Sequence, residues 1–189
     1  MARLITPLLA TCLLVLPAAT HAVPQKHTNA DAAVLSDFMK HVNEYAALHR
    51  KLEATLPKLP TKATPAQVDT HERALAHLIQ QARAGAKQGD IFTLPMQSLV
   101  RQLLVPIFQG PGGAQIKTEI TDNEYKGSVK LVVDGRYPDE VPLSTMPPQV
   151  LQALPKLPED LEYRFVRTSL ILYDPHAHII PDFVDRAFS

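Results

Sequence analysis

The 189-residue chain has no tryptophan, a single cysteine, seven glycines and no excess of either charge, with 19 Lys and Arg set against 19 Asp and Glu. The balanced charge excludes a function driven by a large single-sign field, and with it a basic face for nucleic acid. One cysteine, Cys12, excludes an intrachain disulfide and a thiolate metal cluster. After the first two dozen residues no run is long and apolar enough to span a bilayer. Catalytic signatures are also missing. There is no Gly-x-Ser-x-Gly elbow, and the glycine-rich stretch 110–117 lacks the Gly-Lys-Ser/Thr ending of a phosphate loop. The Glu-x-x-His spacing of di-iron bundles is absent, and no solenoid-length repeat is visible.

What the chain does have is 46% hydrophobic and 20% charged residues, the balance of one ordinary globular domain. Its 17 prolines are nearly twice the usual share and punctuate helical patterns. Residues 1–22, MARLITPLLATCLLVLPAATHA, combine a basic Arg3, an apolar stretch over 4–16 and a small-residue exit at Thr20-His21-Ala22. This is the pattern of a secretory signal peptide, with cleavage expected after Ala22 and a periplasmic or secreted destination. Leu9-Ala10-Thr11-Cys12 loosely resembles a lipobox. Thr11 is a poor residue before an acylated cysteine, however, and the apolar run 13–16 would remain on the mature side. Without residues 1–22 the chain keeps 18 basic and 19 acidic side chains and no cysteine.

Residues 23–30 are polar and aperiodic, and read as a disordered leader. From Asp31, the residues Leu35, Phe38, Val42, Tyr45, His49, Leu52 and Leu56 recur three or four apart, predicting one helix of about 26 residues that ends at Pro57. After a stiff connector, Thr64, Pro65 and Gln67 form a capping box for a second helix with Val68, His71, Leu75, Leu78, Ile79 and Ala82 on one face. The two should pack as an antiparallel hairpin. Met96, Leu99, Val100, Leu103, Leu104 and Ile107 predict a third helix starting near Pro95 and broken at Pro106, and 114–121 adds one or two turns. From Gly127 the period changes to two: Val129, Leu131 and Val133 read as a strand before an Asp134-Gly135 turn. A short helix over 148–154 follows, with Ser144 or Thr145 as its cap. Three strands at 161–166, 170–173 and 179–184 close the chain as a meander. The expected fold is α+β, with a helical region 31–126 and a small antiparallel β region 127–189 of three or four strands. Both would share one domain over 31–189. Helices should cover a sheet face of Val129, Leu131, Phe165, Leu170 and Leu172.

Within the last 45 or so residues, Tyr163, Phe165, Leu170, Ile171, Leu172, Asp174, Ile179, Ile180 and Asp182 carry a pattern: an aromatic-rich strand, an apolar strand ending in Asp, a short turn and a final apolar strand. This pattern resembles the C-terminal module of the periplasmic nickel/cobalt-homeostasis family. The whole chain looks like small uncharacterised exported bacterial proteins. The resemblance implies a divalent-metal role; where that family has a His- and Asp-rich N-terminal region, this chain has a helical hairpin.

Two histidine sets carry the candidate chemistry. In Asp174-Pro-His176-Ala-His178, an extended backbone would put His176 and His178 on one face as metal ligands, with Asp174 or Asp182 as an oxygen donor; a turn at Pro175 would separate them. His49 and His71 each lie about 10 Å from the hairpin connector on the apolar seam, able to face one another beside Glu53 or Glu72. His41 and His77 read as helix surface. Ser144 reads as a helix cap, and adjacent carboxylates such as Asp139-Glu140 and Glu159-Asp160 as solvated turn charges. The expectation that follows is a non-catalytic binding or interaction module of the cell envelope, partnered by an envelope protein or a second copy, and with no cofactor. The alternative is a divalent-metal-handling protein using the C-terminal histidines. A third reading is a hydrolase whose carboxylates, or Ser144, meet only in three dimensions. The Leu35-to-Leu56 seam is expected to dock within the chain rather than as a coiled coil.

Overall fold

The computed structural model describes residues 29–121 and 129–188; the expected signal peptide, leader residues 23–28 and the 126/127 boundary lie outside them. Asn29 and Ala30, expected in the leader, open the first helix instead. This helix, α1 (Asn29–Glu53), buries Phe38, Val42, Tyr45, Ala46 and His49, so the three-and-four spacing marks the face that meets the core. It stops before Pro57: Thr55 and Leu56 donate back only three residues, to Leu52 and Glu53 (both 3.0 Å), which tightens the last turn. Helix α2 (Pro65–Ala82) has the expected capping box, with Gln67 N donating to Thr64 Oγ1 (3.3 Å) and Thr64 N to Gln67 Oε1 (2.8 Å). Glu53, at the end of α1, meets His71 near the start of α2, whereas Tyr45 lies under Arg83 just past its end. The hairpin is therefore antiparallel, and its apolar seam is spent inside the chain.

Helix α3 (Leu94–Gln109) runs through Pro106, where a break was expected. The proline removes one backbone hydrogen bond, but Leu103, Leu104 and Phe108 on either side of it are buried in the core and hold the helix together. Helix α4 (Gly113–Thr121) follows. The expected strand over 129–133 does not form; strand β1 is only Gly135–Arg136, after a Val132-to-Gly135 turn in which Asp134 takes φ +53°. Val129, Leu131 and Val133 do share a face, but they lie on the sheet rather than pairing at its edge. Alternation reports a buried face, not a hydrogen-bonded ladder. Helix α5 (Pro148–Ala153) is flanked by Pro147 and has no side-chain cap. Ser144 instead staples the loop to the sheet, donating to Phe165 O (3.0 Å) and accepting from Phe165 N (3.1 Å).

The remaining strands, β2 (Glu162–Val166), β3 (Ser169–Asp174) and β4 (Ile179–Val184), form the meander, giving an antiparallel sheet in the order β1-β4-β3-β2. Both faces are covered. Tyr163, Phe165, Leu170, Leu172, Ile179 and Val184 meet the helices, while Ile171, Tyr173, Ile180 and Phe183 meet Tyr137, Val141 and the 129–133 segment. Val129 and Leu131 were expected on the helix-facing side and lie on the other. The result is an α+β fold in which helices pack on a small antiparallel sheet.

Two fully buried aspartates interrupt the helix-facing side of the sheet, Asp174 ending β3 and Asp182 in β4. A buried carboxylate costs several kcal/mol unless donors surround it. Asp182 accepts from the amides of Gly89 (3.1 Å), Ile91 (2.9 Å), Phe92 (2.8 Å) and Phe183 (2.8 Å), so the loop that launches α3 is wound around it. Burial pushes its carboxyl pKa up, against the pull of these amides. Asp182→Ala leaves those N–H groups buried without an acceptor and should cost about 3 kcal/mol by chemical denaturation. Hydrogen exchange at Ile91 and Phe92 should accelerate with it; unchanged exchange would contradict this role.

Candidate metal centre

Asp174 is the centre of the second arrangement. One oxygen, Oδ1, accepts from the backbone amides of His176 (3.0 Å) and Ala177 (2.9 Å), folding the turn after β3. The other, Oδ2, accepts from the Tyr45 hydroxyl (2.7 Å) and faces His49 Nδ1 at 2.6 Å, both from α1. Residues 125 and 129 positions away in the chain thus close on one carboxylate. A carboxylate only accepts, so His49 Nδ1 carries a proton, and in the neutral imidazole Nε2 is the free nitrogen.

That nitrogen lies beside the carboxylate of Glu53, one helical turn along α1, with Nε2 3.3 Å from Oε2. His49 is fully buried and its Nε2 has no hydrogen-bond partner. Glu53 is approached from two further sides, by His176 Nδ1 at 3.0 Å from Oε1 and by His71 Nε2 at 3.8 Å. The rings of His49 and His176 lie edge to face, 5.4 Å between centroids. One donor atom each from His49, Glu53 and His176 falls within 4.8 Å of the others. The 3.3 Å edge from His49 ends on Oε2 of Glu53 and the 3.0 Å edge from His176 on Oε1, so an ion that meets both imidazoles at these separations would take Glu53 through both oxygens.

The electrostatics favour positive charge here. Burial pushes His49 toward its neutral form, but the hydrogen bond and charge of Asp174, together with Glu53 and Asp160, overcome it and hold the pKa above the ordinary histidine value. Burial would raise Glu53, yet the hydrogen bond and charge of His176 and the charge of His49 hold its carboxyl below the usual range. Tyr45 is raised well above its ordinary value, by burial first and then by Asp174, which keeps it a donor.

The sequence-marked residues are thus regrouped. His49 and His176, from separate candidate sets, come together, and His71 stands at the edge. Asp174 orients His49 rather than offering an oxygen to an ion, and Asp182 is committed to the 89–92 loop. His178 does not join: residues 175–178 form a turn, not a strand, and His178 takes φ +53°. Its Nδ1 lies 2.7 Å from the Tyr173 hydroxyl and its Nε2 3.3 Å from Asp139, so the same-face pairing with His176 fails. Glu72 is paired with Arg136 at 3.5 Å. Tyr45 was visible only as a seam residue. No family model, curated protein or solved structure matches the chain, so the site rests on its own geometry.

Nitrogen-15 NMR should find His49 protonated at Nδ1, with a pKa above 6.5 that falls in Asp174→Asn. Because the folded-state pKa is raised, the stabilisation from His49 is fully present below about pH 6.5 and is lost as pH rises through the folded value. An Nε2–H tautomer in the parent protein would overturn the assignment.

Proposed function

We propose that the protein is an exported, non-catalytic module that binds a divalent transition-metal ion through His49, Glu53 and His176, with Asp174 orienting His49. The observation that carries this reading is the convergence of His49 and Glu53 of α1 with His176 of the turn after β3, one donor atom from each lying within 4.8 Å of the others. A neutral imidazole nitrogen and a carboxylate oxygen 3.3 Å apart need a cation between them, which either a proton on Nε2 or a divalent ion supplies. The carboxylate–histidine pair behind it is the usual support of a metal-bound imidazole, fixing its tautomer and raising its basicity. A set of two imidazoles and one carboxylate suits zinc, cobalt, nickel or iron(II) rather than calcium or magnesium. The signal-peptide pattern of residues 1–22 supports export. The resemblance of the C-terminal strands to a nickel/cobalt-homeostasis module points to the same class of ion, although the donors proposed here differ from the His176/His178 pair read from the sequence.

Thermal unfolding of the chelator-treated protein tests the reading. An ion at about 100 times its dissociation constant adds roughly 2.7 kcal/mol, which raises the midpoint by about 5–10 °C for a chain of this size. The shift should vanish in Glu53→Gln and in His176→Ala, whose side chain is half exposed and whose loss spares the core. It should persist in His178→Ala. No shift with zinc, cobalt or nickel, or an equal loss in His178→Ala, would sink the proposal.

A further inference from the structure

The proposed metal centre reaches, through Glu53 alone of its three donors, a cleft at the end of the helical hairpin. A space of about 360 Å³ begins at Glu53 and His71 and passes Arg50 and Lys58. It continues into a second space of about 410 Å³ through the shared residues Leu56, Lys58, Leu59 and His71. The two ends differ in chemistry. The first holds cationic and ionisable groups beside the centre; the second is walled by Pro57, Pro60, Ala66 and Ala74, with Leu59 40% exposed. Prolines at 57 and 60 fix the backbone φ of this wall, so the groove needs little ordering when it fills. Its volume is in the range of small-molecule sites.

Three protein donors leave at least one position of a four-coordinate ion for an outside ligand. His71 Nε2 is 3.8 Å from Glu53 Oε1 but is not among the donors within 4.8 Å of one another, so the His71 side of the centre is not closed by a fourth protein ligand. Resting on the metal reading above, we infer that this cleft takes a small amphiphilic monocarboxylate, whose carboxylate completes the ion's coordination beside Lys58 and His71 and whose aliphatic chain lies along Leu56, Leu59 and the prolines. Charge complementarity selects the head and the apolar end selects the tail. A cationic amphiphile of the same length meets Lys58 and the ion, and is excluded. The carboxylate's covalent bonds are unchanged; at the ion one metal–oxygen bond to water would be exchanged for one to the carboxylate, and the water leaves to solvent.

The visible spectrum of the cobalt(II)-loaded full chain tests this, with acetate, hexanoate and hexylamine as probes. Hexanoate should perturb the cobalt band saturably without extracting the ion, and should bind at least about tenfold tighter than acetate, because each buried methylene is worth up to about fourfold. Hexylamine should leave the band unchanged at the same concentrations. In Leu59→Asp the advantage of hexanoate over acetate should disappear. A cobalt band indifferent to hexanoate, or equal affinities for acetate and hexanoate, would overturn this inference while leaving the metal centre standing. No cobalt band at all would overturn both.

Discussion

A carboxylate on the apolar face of a sheet is held there only by donors that come to it, and Asp174 gathers them from two distant parts of the chain. Two are amides of its own turn; two are side chains of α1, Tyr45 and His49. The same contact therefore shapes the turn that carries His176, sets the height of α1 over the sheet, and selects the tautomer of His49. Without it, the turn that presents His176 to Glu53 would lose the acceptor of both its amides. The centre is a consequence of how the helical region docks on the meander, not a local motif.

The docking is reinforced one turn further along. Arg83, just past α2, lies over the Tyr45 ring at 5.2 Å, bonds Asp134 through Nε (2.9 Å), and reaches Pro181 O (3.2 Å). Asp134 sits in the positive-φ turn before β1, so this cation ties the hairpin to the edge of the sheet. Tyr45 is thus held on its ring face by a cation and at its hydroxyl by Asp174. Its raised pKa keeps the hydroxyl protonated and donating across the physiological range. The Asp182 contact fixes α3 against β4 by the same means. Polar groups in this core bind one helix–sheet junction each, which gives the packing a single register where apolar contacts alone would tolerate sliding.

Much of the architecture was legible because helices and strands leave periods in the sequence. The seam from Leu35 to Leu56, the Thr64 capping box and the three closing strands all follow from spacing. What failed to read has physical causes. Val129, Leu131 and Val133 alternate because one side of them is buried, and that burial occurs on top of the sheet instead of within it. Pro106 did not end α3 because the core on either side outweighs one lost hydrogen bond. Ser144 looked like a cap, yet its hydroxyl serves the Phe165 backbone 21 residues away. The centre was legible only in fragments. His49 with Glu53 nearby, and Asp174 with His176, were each marked, but 125 residues separate His49 from Asp174, and no short-range pattern encodes that meeting. His178 was grouped with His176 on the assumption of an extended backbone, which the turn at 175–178 removes.

A structural tie alone does not account for the arrangement. Tyr45 and two amides already supply Asp174 with donors, and a phenylalanine at position 49 would fill the seam without a polar group to satisfy. His49 instead adds a second buried nitrogen, Nε2, 3.3 Å from Glu53 Oε2. A proton is one cation that fits between them, and the raised pKa of His49 reflects that pull. Glu53 also has His176 on its other oxygen and His71 beyond, more imidazole than one carboxylate needs for pairing. On the proposed reading, an ion that takes several donors at once serves His49, Glu53 and His176 together, where a proton serves one pair at a time.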